Sequence, residues 1–225
     1  VVGHGGHTSP EEPRNPARPA EVAGAFAFGS LAPGFFKPGS IESLTATCAH
    51  VAAAAPSLPF YYYHIPSMTG VSLPCLDFLK AAKDRIPNLR GIKFTFENLM
   101  DYLACLRFEN GRYDLVFGRD EALVPALAIG TRGAIGSTYN FLAPQFLQAM
   151  AAFQSGDMEL ATTHQAAVND VIAVMIRHGG LSAGKAMMSL LGQDLGPVRL
   201  PLAPVSADAG TRLRDELQAV GFPSA

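Results

Sequence analysis

The sequence predicts an α/β fold: a parallel sheet of about six strands wound with helices, then a helical C-terminal part. Three observations predict it. Short β-type runs alternate with longer amphipathic stretches as far as residue 138. Beyond that point the pattern is helical, with no strand-type run. With 48% hydrophobic and 16% charged residues, a chain of 225 residues can also bury a sizeable core.

Taken in order, "VVGHGG" at the start adds a sixth strand to five clearer ones. The next stretch, "HTSPEEPRNPARPAEVAG", falls where a crossover helix is needed. Pro10 suits a helix start, but Pro16 and Pro19 break one, so irregular backbone or a damaged sequence is expected there. "GAFAFGSLAP" (24–33), "LPFYYYHIP" (58–66), "RGIKFTF" (90–96), "YDLVFG" (113–118) and "RGAIGST" (132–138) each read as a buried strand. The first four are followed by "SIESLTATCAHVAAAAP", "LDFLKAAKDRIP", "ENLMDYLACLRF" and "DEALVPALAIG", all helical in pattern. Repeated units of this size imply parallel strands joined by right-handed crossovers. "APQFLQAMAAFQ", "DMELATTHQAAVNDVIAVMIRHG", "SAGKAMMSLLG" and "AGTRLRDELQAVG" are the C-terminal helices. The expected division is a partial (β/α) barrel over 1–155 and helices packed on it over 156–225, one domain overall.

Composition excludes several classes. A net charge of −2, from 17 basic and 19 acidic side chains, argues against a nucleic-acid or anionic-membrane surface. No apolar run is long enough to span a bilayer. The start lacks the basic and long apolar regions of a signal peptide, and its first residue, Val1, leaves open that the sequence is a piece of a longer one. Cys48, Cys75 and Cys105 are odd in number and widely spaced, which suits buried thiols in a reducing cytosol. His4 and His7 have no accompanying ligand cluster, so no metal is expected.

The chemistry-bearing candidates gather at strand ends. Alternation puts Lys93 and Thr95 on one face of their strand, with Ile92 and Phe94 on the other. A lysine inside a buried parallel strand is either salt-bridged or snorkelling, or it is an amine kept neutral for Schiff-base chemistry. On the preceding strand Tyr61 and Tyr63 share a face, and Tyr62 and His64 share the other. A phenol there reaches an amine on the next strand if both face inward, and otherwise it is core. Two loops add polar groups: "FGRDEA", with Gly118, Asp120 and Glu121, and "GAIGSTYN", with Gly136, Ser137 and Thr138. Each loop alone reads first as a helix cap, and otherwise as a binder of anions and hydroxyls. Together, Tyr63, Lys93 and both loops fall at strand C-terminal ends, where a TIM barrel places its active site.

"YYYHIPSMTGV", "GIKFT", "FGRDE" and "GAIGSTYN", in this order, resemble the pyruvate-dependent class I aldolases. That family holds N-acetylneuraminate lyase (sialic acid aldolase) and dihydrodipicolinate synthase. "AAAAPSLPFYYYHIP" and "GPVRLPL" are most similar to the lyase in its animal form, and the similarity runs over about residues 20–203. The resemblance implies a TIM (β/α)8 barrel and a carbon–carbon lyase that needs no cofactor. It implies a small-molecule substrate, a cytoplasmic setting and a homotetramer. Lys93 would form the Schiff base with pyruvate and Tyr63 would be the catalytic phenol. Thr95, Gly118, Asp120, Glu121, Gly136 and Ser137 would hold the sugar. Tyr61 would be core one layer deeper, and Tyr62 would point to the surrounding helices. The synthases carry an arginine where this chain has Met68, which favours the lyase.

The sequence departs from the family at its start. It begins at what corresponds to the third barrel strand. No stretch of it replaces the loop that binds the pyruvate carboxylate and supplies a hydroxyl to the tyrosine. The expectation is an incomplete barrel that folds poorly or is impaired, from a fragment, a truncated gene model or a splice form. Another pyruvate aldolase of the same family, or an inactive remnant, stands as the alternative.

Overall fold

The structure is a computed structural model of the chain, and residues 2–6 and 12–223 are described. They form two compact units. The first holds Val1–Arg119 and Ala128–Ile135; the second holds Asp120–Leu127 and Gly136–Ala225.

In the first unit, five parallel strands lie in chain order: β1 (Val2–Gly5), β2 (Ala27–Leu31), β3 (Phe60–His64), β4 (Leu89–Phe94) and β5 (Asp114–Phe117). Between them run α1 (Arg14–Val22), α2 (Ile41–Ala52), α3 (Pro66–Thr69), α4 (Cys75–Ala82) and α5 (Leu99–Arg107). The last expected strand, 132–138, is reduced to one bridge, Phe117 with Ala134. Two hydrogen bonds hold it, Phe117 N to Gly133 O (3.0 Å) and Ile135 N to Phe117 O (2.9 Å). Glycines at 133 and 136 interrupt this stretch, and glycine weakens a strand interior.

The proline-rich segment corrects the expectation of irregular backbone, because α1 forms through it. Pro16 lies in the first turn, where the amide has no intrahelical partner in any case. Pro19 is the single interior break in a helix of 9 residues. His7 lies outside the described residues.

Each strand has a helix-side face and an open face. Phe28, Phe60, Tyr62, Ile92, Phe94, Leu115 and Phe117 are buried on the helix side. Tyr62 meets Phe78 of α4 at 4.8 Å between ring centroids, and Tyr102 of α5 lies 5.1 Å from both Phe94 and Phe117. Asp101 of α5 caps α4, its carboxylate accepting from Cys75 N (2.7 Å) and Leu76 N (3.1 Å). Asn88, just before β4, donates to the carbonyls of Ala52, Ala55 and Leu58, which ties the end of α2 to the sheet. The three cysteines are free and buried, and burial raises each thiol's pKa.

In the second unit α6 (Leu123–Ala128) begins after a short 3₁₀ turn at Asp120–Ala122, and α7 (Tyr139–Gln154), α8 (Met158–Arg177), α9 (Leu181–Leu190) and α10 (Ala207–Ala219) follow. Val124, Ala149, Ala152 and Ala161 make a small core with Phe153 against it. Buried Gln165 of α8 accepts from Val124 N (3.0 Å) and donates to Asp120 O (3.1 Å), which fixes the turn before α6. Glu216 of α10 takes Arg177 (2.7 Å) and His178 (3.0 Å) at the end of α8. No helix among the described residues is long and apolar enough to cross a membrane.

Candidate active site

Lys93 and Tyr63 stand next to last in β4 and β3, and parallel register makes them direct partners. The Lys93 Nζ lies 4.1 Å from the centroid of the Tyr63 ring. Neither side chain is fully buried: both line an open cavity of about 400 Å³ on the free face of the sheet. His4, Gly29, Tyr61, Asp114, Val116 and Ile135 share that wall. The strand alternation read from "FYYYH" and "GIKF" is therefore what aims both groups into one space.

Thr95 and Gly118 continue the site. The Thr95 hydroxyl is buried with no hydrogen-bond partner among the described residues. Position 118 has to be glycine: a Cβ there would lie 2.0 Å from Thr95 Oγ1 and 3.4 Å from Lys93 Cε. The missing side chain leaves room for the threonine and the lysine stem beside each other.

The other expected residues belong to the second unit. Asp120 is 5% exposed, and its Oδ2 accepts from Thr138 N (3.0 Å) and Thr138 Oγ1 (2.5 Å). Gly136 lies against the same carboxylate, where a Cβ would come 1.6 Å from Asp120 Oδ1. Asp120 thus locks the turn at 136–138. Glu121 is half-buried, its backbone carbonyl held by Asn169 Nδ2 (3.1 Å), and Ser137 is exposed just before α7. Sequence reasoning missed Tyr139. Its buried hydroxyl has no partner among the described residues, and burial followed by the charges of Asp120 and Glu121 raises its pKa. Its place in "STYN" was the available signal.

Two further residues were missed in the first unit. His4 presents its ring edge to Tyr63, at 5.6 Å between centroids. Its pKa is lowered by burial and then by the positive charge of Lys93, so it is a neutral imidazole in the wall. Tyr61 is not the core residue expected. It is half-exposed, and its hydroxyl donates to Asp114 Oδ2 at 2.8 Å. Gly91 stands between them in register and has no side chain to block the reach. Burial, then the hydrogen bond and charge of Asp114, push the Tyr61 phenol up to about 12, with Arg90 opposing. Tyr62 points to the helices as expected. Among the described residues no group of His, Cys, Asp or Glu has the arrangement to hold a metal ion.

A lysine and a phenol thus stand in register at the C-terminal ends of parallel strands, beside an unpartnered hydroxyl, where barrels of this kind place their active sites. The chain belongs to the dihydrodipicolinate synthetase family, whose profile matches residues 1–220. Among curated relatives, it is 39% identical to N-acetylneuraminate lyase of Mus musculus over 227 aligned positions, covering 100% of this chain and 71% of that one. It is 40% identical to the N-acetylneuraminate lyase of Xenopus tropicalis, covering 96% and 72%. Among solved structures, N-acetylneuraminate lyase of Proteus mirabilis superposes with a TM-score of 0.95 at 38% identity, over 99% of this chain and 75% of that one. The enzyme of Aliivibrio salmonicida gives 0.95 at 41%, over 100% and 74%. The fold is therefore that of the (β/α) barrel aldolases, seen here as five parallel strands and a C-terminal helical part.

Proposed function

We propose that this protein is an N-acetylneuraminate lyase, cleaving the sugar reversibly to N-acetylmannosamine and pyruvate. The observation that carries this reading is the register pair of Lys93 and Tyr63 on one cavity wall. Lys93 attacks the keto carbon of the open-chain sugar, and loss of water gives a protonated imine. That cation is the electron sink. Tyr63 takes the proton of the C4 hydroxyl, the C3–C4 bond breaks, and its electrons enter the imine to form an enamine. N-acetylmannosamine leaves as the aldehyde. Protonation at C3 and hydrolysis of the imine then release pyruvate and restore the amine.

Thr95, Gly118, Asp120, Glu121, Gly136 and Ser137 take the substrate in this reading, since hydroxyl groups need paired donors and acceptors. The unpartnered Thr95 hydroxyl supports that role. Met68, at the place of the synthases' arginine, supports a sugar over a dicarboxylic partner. The resemblance also supports a homo-oligomer, a tetramer in the family, at work in the cytoplasm.

The test is a cleavage assay on N-acetylneuraminate, read by pyruvate release, beside a panel of aldehydes run in the synthetic direction. Cleavage lost in Lys93→Ala, with N-acetylmannosamine preferred among the aldehydes, is expected. Cleavage that survives Lys93→Ala contradicts the mechanism. A panel without that preference points to a sibling aldolase.

A further inference from the structure

A second cavity, also of about 400 Å³, opens at the starting ends of the strands in the first unit. Arg90 of β4, Arg107 at the end of α5, Arg112, and Arg132 in the stretch before Ala134 line it. Its one acidic residue is Asp114, whose Oδ2 already accepts from Tyr61 at 2.8 Å. Arg112 pairs with Glu109 at 3.0 Å, and Glu109 also takes Lys83 at 3.0 Å. Arg107 and Arg132 have no carboxylate partner among the described residues. A chain of net charge −2 thus sets four guanidinium groups around one space with a single carboxylate in its wall.

The rim is conformationally unusual. Glu109, Asn110 and Gly111 follow one another at φ of 47°, 58° and 76°, and two of them are not glycine. Such backbone persists only where its surroundings over-determine it, and it recurs at ligand clamps. The cavity shares Asp114 with the wall that holds Lys93, but its arginines lie apart from that lysine along the strands. Lys93 lies three residues further along β4 than Arg90, about 10 Å at the rise of a strand. Barrels of this kind react at the other end of their strands.

We propose that this cavity binds a small organic phosphate. Guanidinium forks match phosphate oxygens in pairs, which a point charge does not. A volume of this size is that of a small-molecule site and exceeds what a bare oxyanion needs. Leu106, Leu115 and Ile129 in the same wall receive the carbon portion.

The experiment is calorimetric titration of the full chain at fixed ionic strength, with ribose 5-phosphate and with inorganic phosphate as separate probes. Ribose 5-phosphate is expected to bind at one saturable site, more tightly than inorganic phosphate. The double variant Arg107→Ala/Arg132→Ala should weaken it at least tenfold. Arg107→Lys/Arg132→Lys, which keeps the charge and the surface, should also weaken it, by several fold. Arg177→Ala, remote in sequence and in the second unit, should leave it unchanged. Saturable binding absent, inorganic phosphate binding equally well, or full affinity in both double variants would each overturn the proposal. Melting midpoints without ligand establish that the variants are folded.

Discussion

In the proposed reading Lys93 is the reacting amine, and Tyr63 and Gly118 shape its surroundings. Tyr63→Phe keeps the ring under the amine and removes only the phenolic proton carrier. It should lower kcat by about 10²–10⁴-fold, the usual contribution of a positioned acid–base group, with KM little changed. An equal rise in KM would instead make Tyr63 a binding residue. Gly118→Ala forces a Cβ to within 2.0 Å of Thr95 Oγ1 and should cut kcat/KM at least tenfold without unfolding the chain. Steady-state kinetics beside a melting curve checks both. The buried His64 sets an acid limit on stability. Burial lowers its pKa to about 4, against an ordinary value of 6.5. A depressed value means the neutral form is favoured on folding: the contribution is full above pH 6.5 and is lost as pH falls toward 4. The expected loss between pH 7 and pH 5 is roughly 2 kcal/mol, read from urea midpoints. His64→Phe should flatten that slope. Lys93, Tyr63, Thr95 and Gly118 were legible because strand alternation and their motifs fix where they fall. His4 and Tyr61 were not. One lies in a glycine-rich run without a distinctive motif, and the other depends on Gly91 leaving a path to Asp114.

Among the elements, five of the six expected strands form, "VVGHGG" as β1 included; the other four match closely because apolar runs bounded by glycine and proline leave few alternatives. The run at 132–138 failed as a full strand because its glycines leave one bridge. The run through Arg14–Val22 failed in the other direction. Helix-breaking propensity was overridden because Pro16 costs nothing in a first turn and Pro19 removes a single bond. Pro19→Ala should therefore raise stability by about 1–2 kcal/mol, a rise of several degrees in melting midpoint. An unchanged or lower midpoint would mean the proline's restriction of the unfolded chain outweighs the lost bond. Asp101→Ala removes both side-chain bonds to the start of α4 and should cost about 1–2 kcal/mol. Asp101→Asn should recover part of it, through one retained acceptor oxygen.

For the whole molecule, the parallel order β1 to β5 and the helical C-terminal part were legible from the alternation of periods, and the order of four motifs pointed to one family. The two-unit division was not legible, because Asp120–Leu127 joins the second unit while Ala128–Ile135 returns to the first. Nothing in local pattern encodes such an exchange. Its alkaline limit is also a property of the whole chain. Tyr61 and Tyr102 are raised to about 12, chiefly by burial, from an ordinary value of 10. Their contribution is complete below pH 10 and lost as pH rises through 12, so urea midpoints should fall across that window. The central claim, however, is that Lys93 is the imine-forming amine. Borohydride reduction in the presence of pyruvate, followed by intact mass and peptide mapping, tests it most directly. The account predicts one reduced pyruvyl adduct, on Lys93, retained in Tyr63→Phe and absent in Lys93→Ala. Folded protein that gives no adduct, or an adduct on another lysine, would contradict it.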